Sequence, residues 1–196
     1  MVSEGAPGPV ETVCPGCGGS GAEVRTVPET CADPESVRGG LSDRLARQPG
    51  VTSRFDTGLH TVEGLLLTLV GGALAHDGIQ HGKPLHTVGG SLLAVLLFAV
   101  TVKVVVGEIR ERRAVAAGEP RADALWRSAS YCSGCAAVFF PGGDPWPHPI
   151  TPEQFKKYVW TEAGFHEQLK ELDERAADVA LPPARPARPG GVSDHA

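Results

Sequence analysis

The stretch Val88–Gly107, VGGSLLAVLLFAVTVKVVVG, holds one charge, Lys103, in twenty residues. As a helix it spans roughly 30 Å, the thickness of a bilayer's hydrocarbon core. Lys103 lies close enough to its end for a long side chain to snorkel towards headgroups. Upstream, Gly64–Ala75 (GLLLTLVGGALA) is shorter and also apolar. Extended to Leu59–His76 it reaches about 27 Å, with His60 and Glu63 at its entry. The alternative, a helical hairpin buried in a soluble core, needs partners to cover it. Aromatic residues make up only 6% of the chain, so such partners are scarce. Residues 59–107 therefore read as a transmembrane helical hairpin.

Two cysteine pairs stand on either side of that hairpin: Cys14-Pro-Gly-Cys17 before it and Cys132-Ser-Gly-Cys135 after it. Two thiolates two residues apart, followed by glycine, suit a knuckle that points both sulfurs at one metal, with Gly18 free to take a positive φ. Ordinary ribbons separate their knuckles by a short hairpin, whereas 114 residues separate Cys17 from Cys132. Loop-closure entropy grows only logarithmically with length, so one shared four-cysteine site remains affordable. Two separate pairs, in different subunits, are the alternative. Cys31 has no second cysteine nearby and reads as an ordinary free thiol.

Flanking cations give an orientation. Arg44, Arg47 and Arg54 precede the hairpin and Arg110, Arg112, Arg113, Arg121 and Arg127 follow it, while the loop His76–His86 carries only Lys83. Positive charge stays on the cytoplasmic side, so both termini are expected there and the loop outside. Both cysteine pairs would then share the reducing compartment, where thiolates persist as metal ligands. The loop's His76, His81 and His86 raise a second, weaker metal site. Five-residue spacing does not align them on a helical face, and Gly78, Gly82 and Pro84 favour a solvated turn. Gly71-Gly72 and Gly89-Gly90 fall at similar depth in an antiparallel hairpin and are candidates for close helix packing.

The flanks are less regular. The chain holds 25 Gly and 17 Pro, concentrated near its ends, which leaves little outside 59–180 for a packed core. Residues 1–13 read as a flexible leader without the charged and apolar regions of a signal peptide. Residues 14–27 form the first knuckle with a short strand over 23–27. Residues 28–58 read as a linker, with at most a short helix capped by Ser42 over 43–47. The helix emerges over 108–129 with a turn at 118–120. Residues 130–150 hold the second knuckle, Val138–Phe140 supplying a strand and Tyr131 and Phe139 covering a small core beside the metal.

Thr151-Pro-Glu-Gln154 opens the amphipathic helices of 151–181 with a capping box. Phe155, Tyr158 and Val159 share one face of the first helix. A second helix from Phe165 carries Leu169, Leu172, Ala176 and Val179 on one stripe, with Lys170–Glu174 and Glu171–Arg175 pairs on its wet side. A disordered tail, 182–196, ends the chain. The fold class is thus a transmembrane hairpin inserted in a small β ribbon, followed by amphipathic helices.

Cys14, Cys17, Cys132 and Cys135 together resemble the four-cysteine site of a zinc ribbon or a rubredoxin. Cys14–Gly21 fits one CxxCxGxG unit of the J-domain co-chaperones, but CSGCAAVF does not, which sets that family aside. YCSGCAAVFFPG and ITPEQFKKYVW are similar to uncharacterised small membrane proteins of high-GC bacteria, over about a third of the chain. The resemblance implies zinc, or alternatively iron, in four thiolates and lends no activity.

A net charge of −5 argues against a nucleic-acid surface. No GxSxG, phosphate loop or HExxH occurs, and four thiolates leave a metal no open position for water, so no enzyme is expected. Three classes remain: a membrane-anchored adaptor for an unknown protein partner; a rubredoxin-like iron or dithiol redox protein; and a small homo-oligomeric pore.

Overall fold

A computed structural model describes residues 12–51 and 53–184. The expected leader and tail fall largely outside these. The chain divides into two compact units, Met1–Pro49 with Gly118–Ala196, and Gly50–Ala117.

In the first unit, a 3-10 turn at Gly21–Glu23 leads into strand β1, Val24–Thr26. Three short helices follow: α1, Val27–Ala32; α2, Pro34–Arg38; and α3, Leu41–Arg44. Helix α1 opens with a capping box from Thr26 and Glu29, with proline in its first turn, and α2 is capped by Asp33. The region expected to be a linker is thus folded down to Pro49. Its anchor is indole chemistry: Trp126 Nε1 donates to the Leu45 carbonyl and Trp160 Nε1 to the Ala46 carbonyl, each at 2.8 Å. Leu45 and Val27 are fully buried. Arg47 bridges to Asp123 at 2.6 Å and Glu119 at 3.1 Å. These partners lie some 70 to 115 positions away along the chain, so local glycine and proline content does not reveal the fold of this segment.

The second unit is the helical hairpin. Helix α4, Arg54–Gln80, is capped by Ser53, which accepts from Asp56 N–H. Helix α5, Pro84–Arg127, has 44 residues and contributes to both units. Only a short turn with Gly82 at φ +61° joins them, so His76 and His86 belong to helices rather than to a loop. Both helices are long and apolar enough to cross a membrane, with mean hydropathy 1.4 and 2.4 over their most apolar windows.

The packing of this pair is inside-out relative to a soluble hairpin. On α4, Thr57, Gly64, Gly71 and Gly78 recur every seven residues on the covered side, with Thr61, Thr68 and Ala75 between them. On α5, Thr87, Ala94, Thr101 and Glu108 do the same, with Gly90, Leu97 and Val105 between. A Cβ added at Gly64 would strike Thr101, one at Gly71 would strike Ala94, one at Gly78 would strike Thr87, and one at Gly90 would strike Ala75. The Thr57 hydroxyl donates to Glu108, continuing the same register. A strict seven-residue repeat keeps one seam facing its partner along the whole contact. Hydroxyls within it bond back to their own helix, Thr68 to the Gly64 carbonyl and Thr101 to that of Leu97, each at 2.8 Å. Gly72 and Gly89 have open space instead. The expectation that both glycines of each pair face the partner is corrected: neighbours in a helix point about 100° apart, so one of each pair turns away.

The large apolar side chains point outwards. Among the described residues from Phe55 to Ile109, twenty-two large hydrophobics are exposed, including Leu66, Leu69, Leu92 and Val95.

Back in the first unit, β2, Ser130–Cys132, and β3, Ala137–Phe139, complete an antiparallel sheet of order β1-β2-β3. Helix α5 runs through Gly118–Pro120, where a turn was expected. Gly118 is buried where an added Cβ would meet the Ala163 carbonyl and the Phe165 ring. Tertiary packing at that close approach outweighs the local cost of the proline.

Helix α6, Pro152–Glu162, has the expected capping box. The second amphipathic helix is broken into α7, His166–Leu172, and α8, Glu174–Asp178. Asp173 makes the break: it caps α8 by accepting from Ala176 N–H and pairs with Lys156 at 2.7 Å. Aspartate at a cap satisfies an orphan amide that a continuous helix would not expose. The break removes the single helix on which Lys170–Glu174 and Glu171–Arg175 were expected to pair.

Candidate metal centre

The first knuckle is a backbone turn before it is a set of ligands. Cys14 N–H donates to the Gly19 carbonyl at 2.8 Å, and Gly18 N–H to the Cys14 carbonyl at 2.9 Å. Gly18 takes φ +74°, as its position after the pair predicts. The second knuckle grows from the end of β2. Val24 faces Cys132 across the sheet, and Ser133 N–H donates to the Glu23 carbonyl at 2.9 Å. Strand pairing between β1 and β2 therefore brings together cysteine pairs that are far apart in the chain.

All four sulfurs lie within 4.8 Å of one another. Cys14 Sγ is 3.6 Å from Cys135 Sγ, and Cys17 Sγ is 3.5 Å from Cys132 Sγ. A disulfide would bring sulfurs to about 2.0 Å. A tetrahedron with metal–sulfur bonds of about 2.3 Å has edges of about 3.8 Å. The spacing fits four thiolates around one ion. Among the described residues these cysteines are the one group of three or more potential ligands close enough to share a metal.

Electrostatics point the same way. Burial disfavours the Cys14 thiolate, but amides of Cys17 and Gly16 bond to it and bring its pKa down to about 7. Burial, followed by the neighbouring thiols, pushes Cys135 up to about 12, and burial also raises Cys132. One thiolate forms readily, and further ones meet its charge. A cation at the centre removes that conflict and releases the remaining protons.

Phe139 is buried with Cys14 and Cys132, and Val24 packs on them, as the covering role required. Tyr131 does not join them. Side chains alternate across a strand, and Ser130 and Cys132 take the buried face of β2 while Tyr131 is only half-buried. Its phenol lines a groove of about 360 Å³ with Glu23, Arg25, Asp33 and Ser133, and burial raises its pKa.

Three residues at the site escaped the sequence reading. A Cβ on Gly19 would come 2.5 Å from the Glu23 carboxylate and 3.4 Å from Cys17 Sγ, and one on Gly134 would come 3.2 Å from the same carboxylate. These glycines make room for Glu23 and the sulfurs. The signal was present as CGG and SGC, but only Gly18 has the left-handed φ that sequence reasoning seeks.

Cys31 stands apart, half-buried in α1, with its thiol pushed up to about 11 by burial. The histidines of the hairpin end do not converge as ligands. His81 Nδ1 lies 3.0 Å from Asp77 and His86 Nδ1 lies 3.7 Å from it, an ordinary helix-end contact.

No protein-family model matches this chain, and comparison with curated proteins and with solved structures finds no match.

Proposed function

We infer that this protein is a membrane-anchored zinc-ribbon adaptor, whose soluble unit binds another protein on the cytoplasmic side. The observation that carries the reading is the convergence of the four sulfurs from two knuckles on either side of an inside-out hairpin. Exposing one Leu or Phe to water forfeits roughly 1.5–3 kcal/mol. A few of the outward-facing side chains would therefore match the roughly 5–15 kcal/mol that holds a domain folded. In lipid the same surface is satisfied, and the seam of small residues is the close packing that joins helices there. The excess of arginine at both ends of the hairpin supports cytoplasmic termini.

Zinc suits four thiolates in a reducing compartment, and a closed tetrahedral set makes the ion structural rather than catalytic. The interaction role is supported by the soluble unit's surface. Besides the mixed-charge groove beside Tyr131, Trp146, Pro147, His148, Pro149, Ile150, Pro182 and Pro183 line a largely apolar pocket of about 310 Å³.

Elemental analysis of the detergent-purified chain tests the reading, followed by identification of proteins that co-purify. One zinc per chain is expected, with a colourless protein. Iron with visible absorption would replace the adaptor by an electron carrier. Absence of any bound metal would sink both.

A further inference from the structure

Besides His60, whose Nδ1 lies 3.4 Å from Glu108, two ionisable side chains lie on the apolar outer surface of the hairpin, Glu63 on α4 and Lys103 on α5, and both are exposed. Because Gly64 faces Thr101, Glu63 stands level with Val102, and Lys103 is within about 1.5 Å of the same depth. They occupy different sides of the pair. Glu63 lines a groove of about 330 Å³ over Gly64, with His60, Leu67, Val100 and Val104. Lys103 lies with Ala99, Val102, Val106, Gly107 and a second cation, Arg110, in a separate depression. Neither makes an ion pair or hydrogen bond among the described residues. Within one chain they do not meet.

Resting on the membrane seating argued above, we propose that a second copy of this chain docks on the hairpin, its Lys103 entering the Glu63 groove. Charge complementarity at matched depth selects this occupant. A lone carboxylate facing lipid is costly, and such groups in membranes pair with an opposite charge or reach water. Lys103 lies about 6 Å from Gly107, where the apolar run ends, and its long stem can reach headgroups unaided. Glu63 is at similar depth on a shorter stem, so it is the group that needs a partner. The groove beside Glu63, about 330 Å³, has room for the tip of a lysine side chain from a neighbouring copy. Since the two surfaces differ, the contact is head-to-tail and propagates into a ring or a row.

The full chain, labelled with donor or acceptor dyes, is reconstituted in phosphatidylcholine–phosphatidylglycerol vesicles, and energy transfer is followed against protein-to-lipid ratio. The parent chain should self-associate. Glu63→Lys and Lys103→Glu should each weaken association roughly tenfold, by placing like charges at the contact. Mixing the two variants juxtaposes opposite charges again and should restore association to within about threefold of the parent, which also shows that both variants are folded. Vesicle flotation reports membrane seating separately. A chain that fails to float overturns the seating and the pairing with it. A chain that floats but is monomeric overturns the pairing alone. So do variants that associate like the parent, or a mixture no stronger than either variant by itself.

Discussion

At the scale of single residues, five cysteines fall into two chemistries. Cys14 and Cys132 come from different knuckles, yet each lies within van der Waals reach of a sulfur from the other knuckle. Cys14→Ser and Cys132→Ser should therefore both abolish stoichiometric metal binding, since either leaves an incomplete tetrahedron. Metal retention by either variant would mean that the pairs act separately. Cys31, at about 11 and half-buried, should be alkylated slowly at pH 8 in the native protein, because the thiolate is the reactive form. Chelation should make the four ligands reactive well before it does Cys31, as thiol counting against time would show. A pH effect attaches to Glu153. The Arg44 guanidinium, 2.6 Å away, holds its carboxyl below the usual range. A lowered carboxylate pKa adds stability that is fully present above the unfolded value, about 4.3, and disappears as pH falls through the folded one. The pair is partly exposed, so Glu153→Gln should cost no more than about 1 kcal/mol at pH 7. The gap in melting temperature between variant and parent should narrow as pH falls below the unfolded value and close once the folded carboxyl is protonated. A gap that is constant with pH would assign the effect to packing.

At the scale of elements, the hairpin's glycines divide into those that face the partner helix and those that do not. Gly71 and Gly90 touch backbone atoms of Ala94 and Ala75, while Gly72 and Gly89 have open space. Gly71→Leu and Gly90→Leu should force the helices apart, at about 1–3 kcal/mol or more each. Gly72→Leu and Gly89→Leu should leave the pair intact. Crosslinking yield between cysteines introduced across the seam distinguishes them, and equal losses for all four variants would refute the register. The sequence showed the two apolar segments, the knuckles, and the cap of α6, because each depends on residues within a few positions of one another. It showed a close glycine contact but not its register, which needs the facing Thr87, Ala94 and Thr101. The folding of 27–49 was not legible, since it depends on indoles at Trp126 and Trp160 reaching the Leu45 and Ala46 carbonyls. The break at Asp173 was hidden for a similar reason. Its partner, Lys156, lies on another helix.

At the scale of the whole molecule, the order of segments imposes a topological condition. The chain leaves its first unit after Pro49 and re-enters it at Gly118, and β1 before the hairpin pairs with β2 after it. A ribbon assembled from both ends requires those ends to be on one side of any membrane the hairpin crosses. Two antiparallel spans satisfy this and one span cannot. The excess of arginine at the hairpin's ends leads us to propose that this side is the cytoplasm. The prediction is made with single cysteines introduced in a background lacking Cys31 and with the metal ligands left in place. A membrane-impermeant maleimide should label His81→Cys in intact cells, because that position lies in the turn between α4 and α5. It should label Asp43→Cys and Arg121→Cys, both exposed on the first unit, only after the membrane is permeabilised. The reverse pattern would keep the two spans and invert the protein, placing the thiolates in an oxidising compartment where disulfides compete with metal. Labelling of all three positions in intact cells, or release of the chain by alkaline carbonate without detergent, would mean that the hairpin does not cross a membrane.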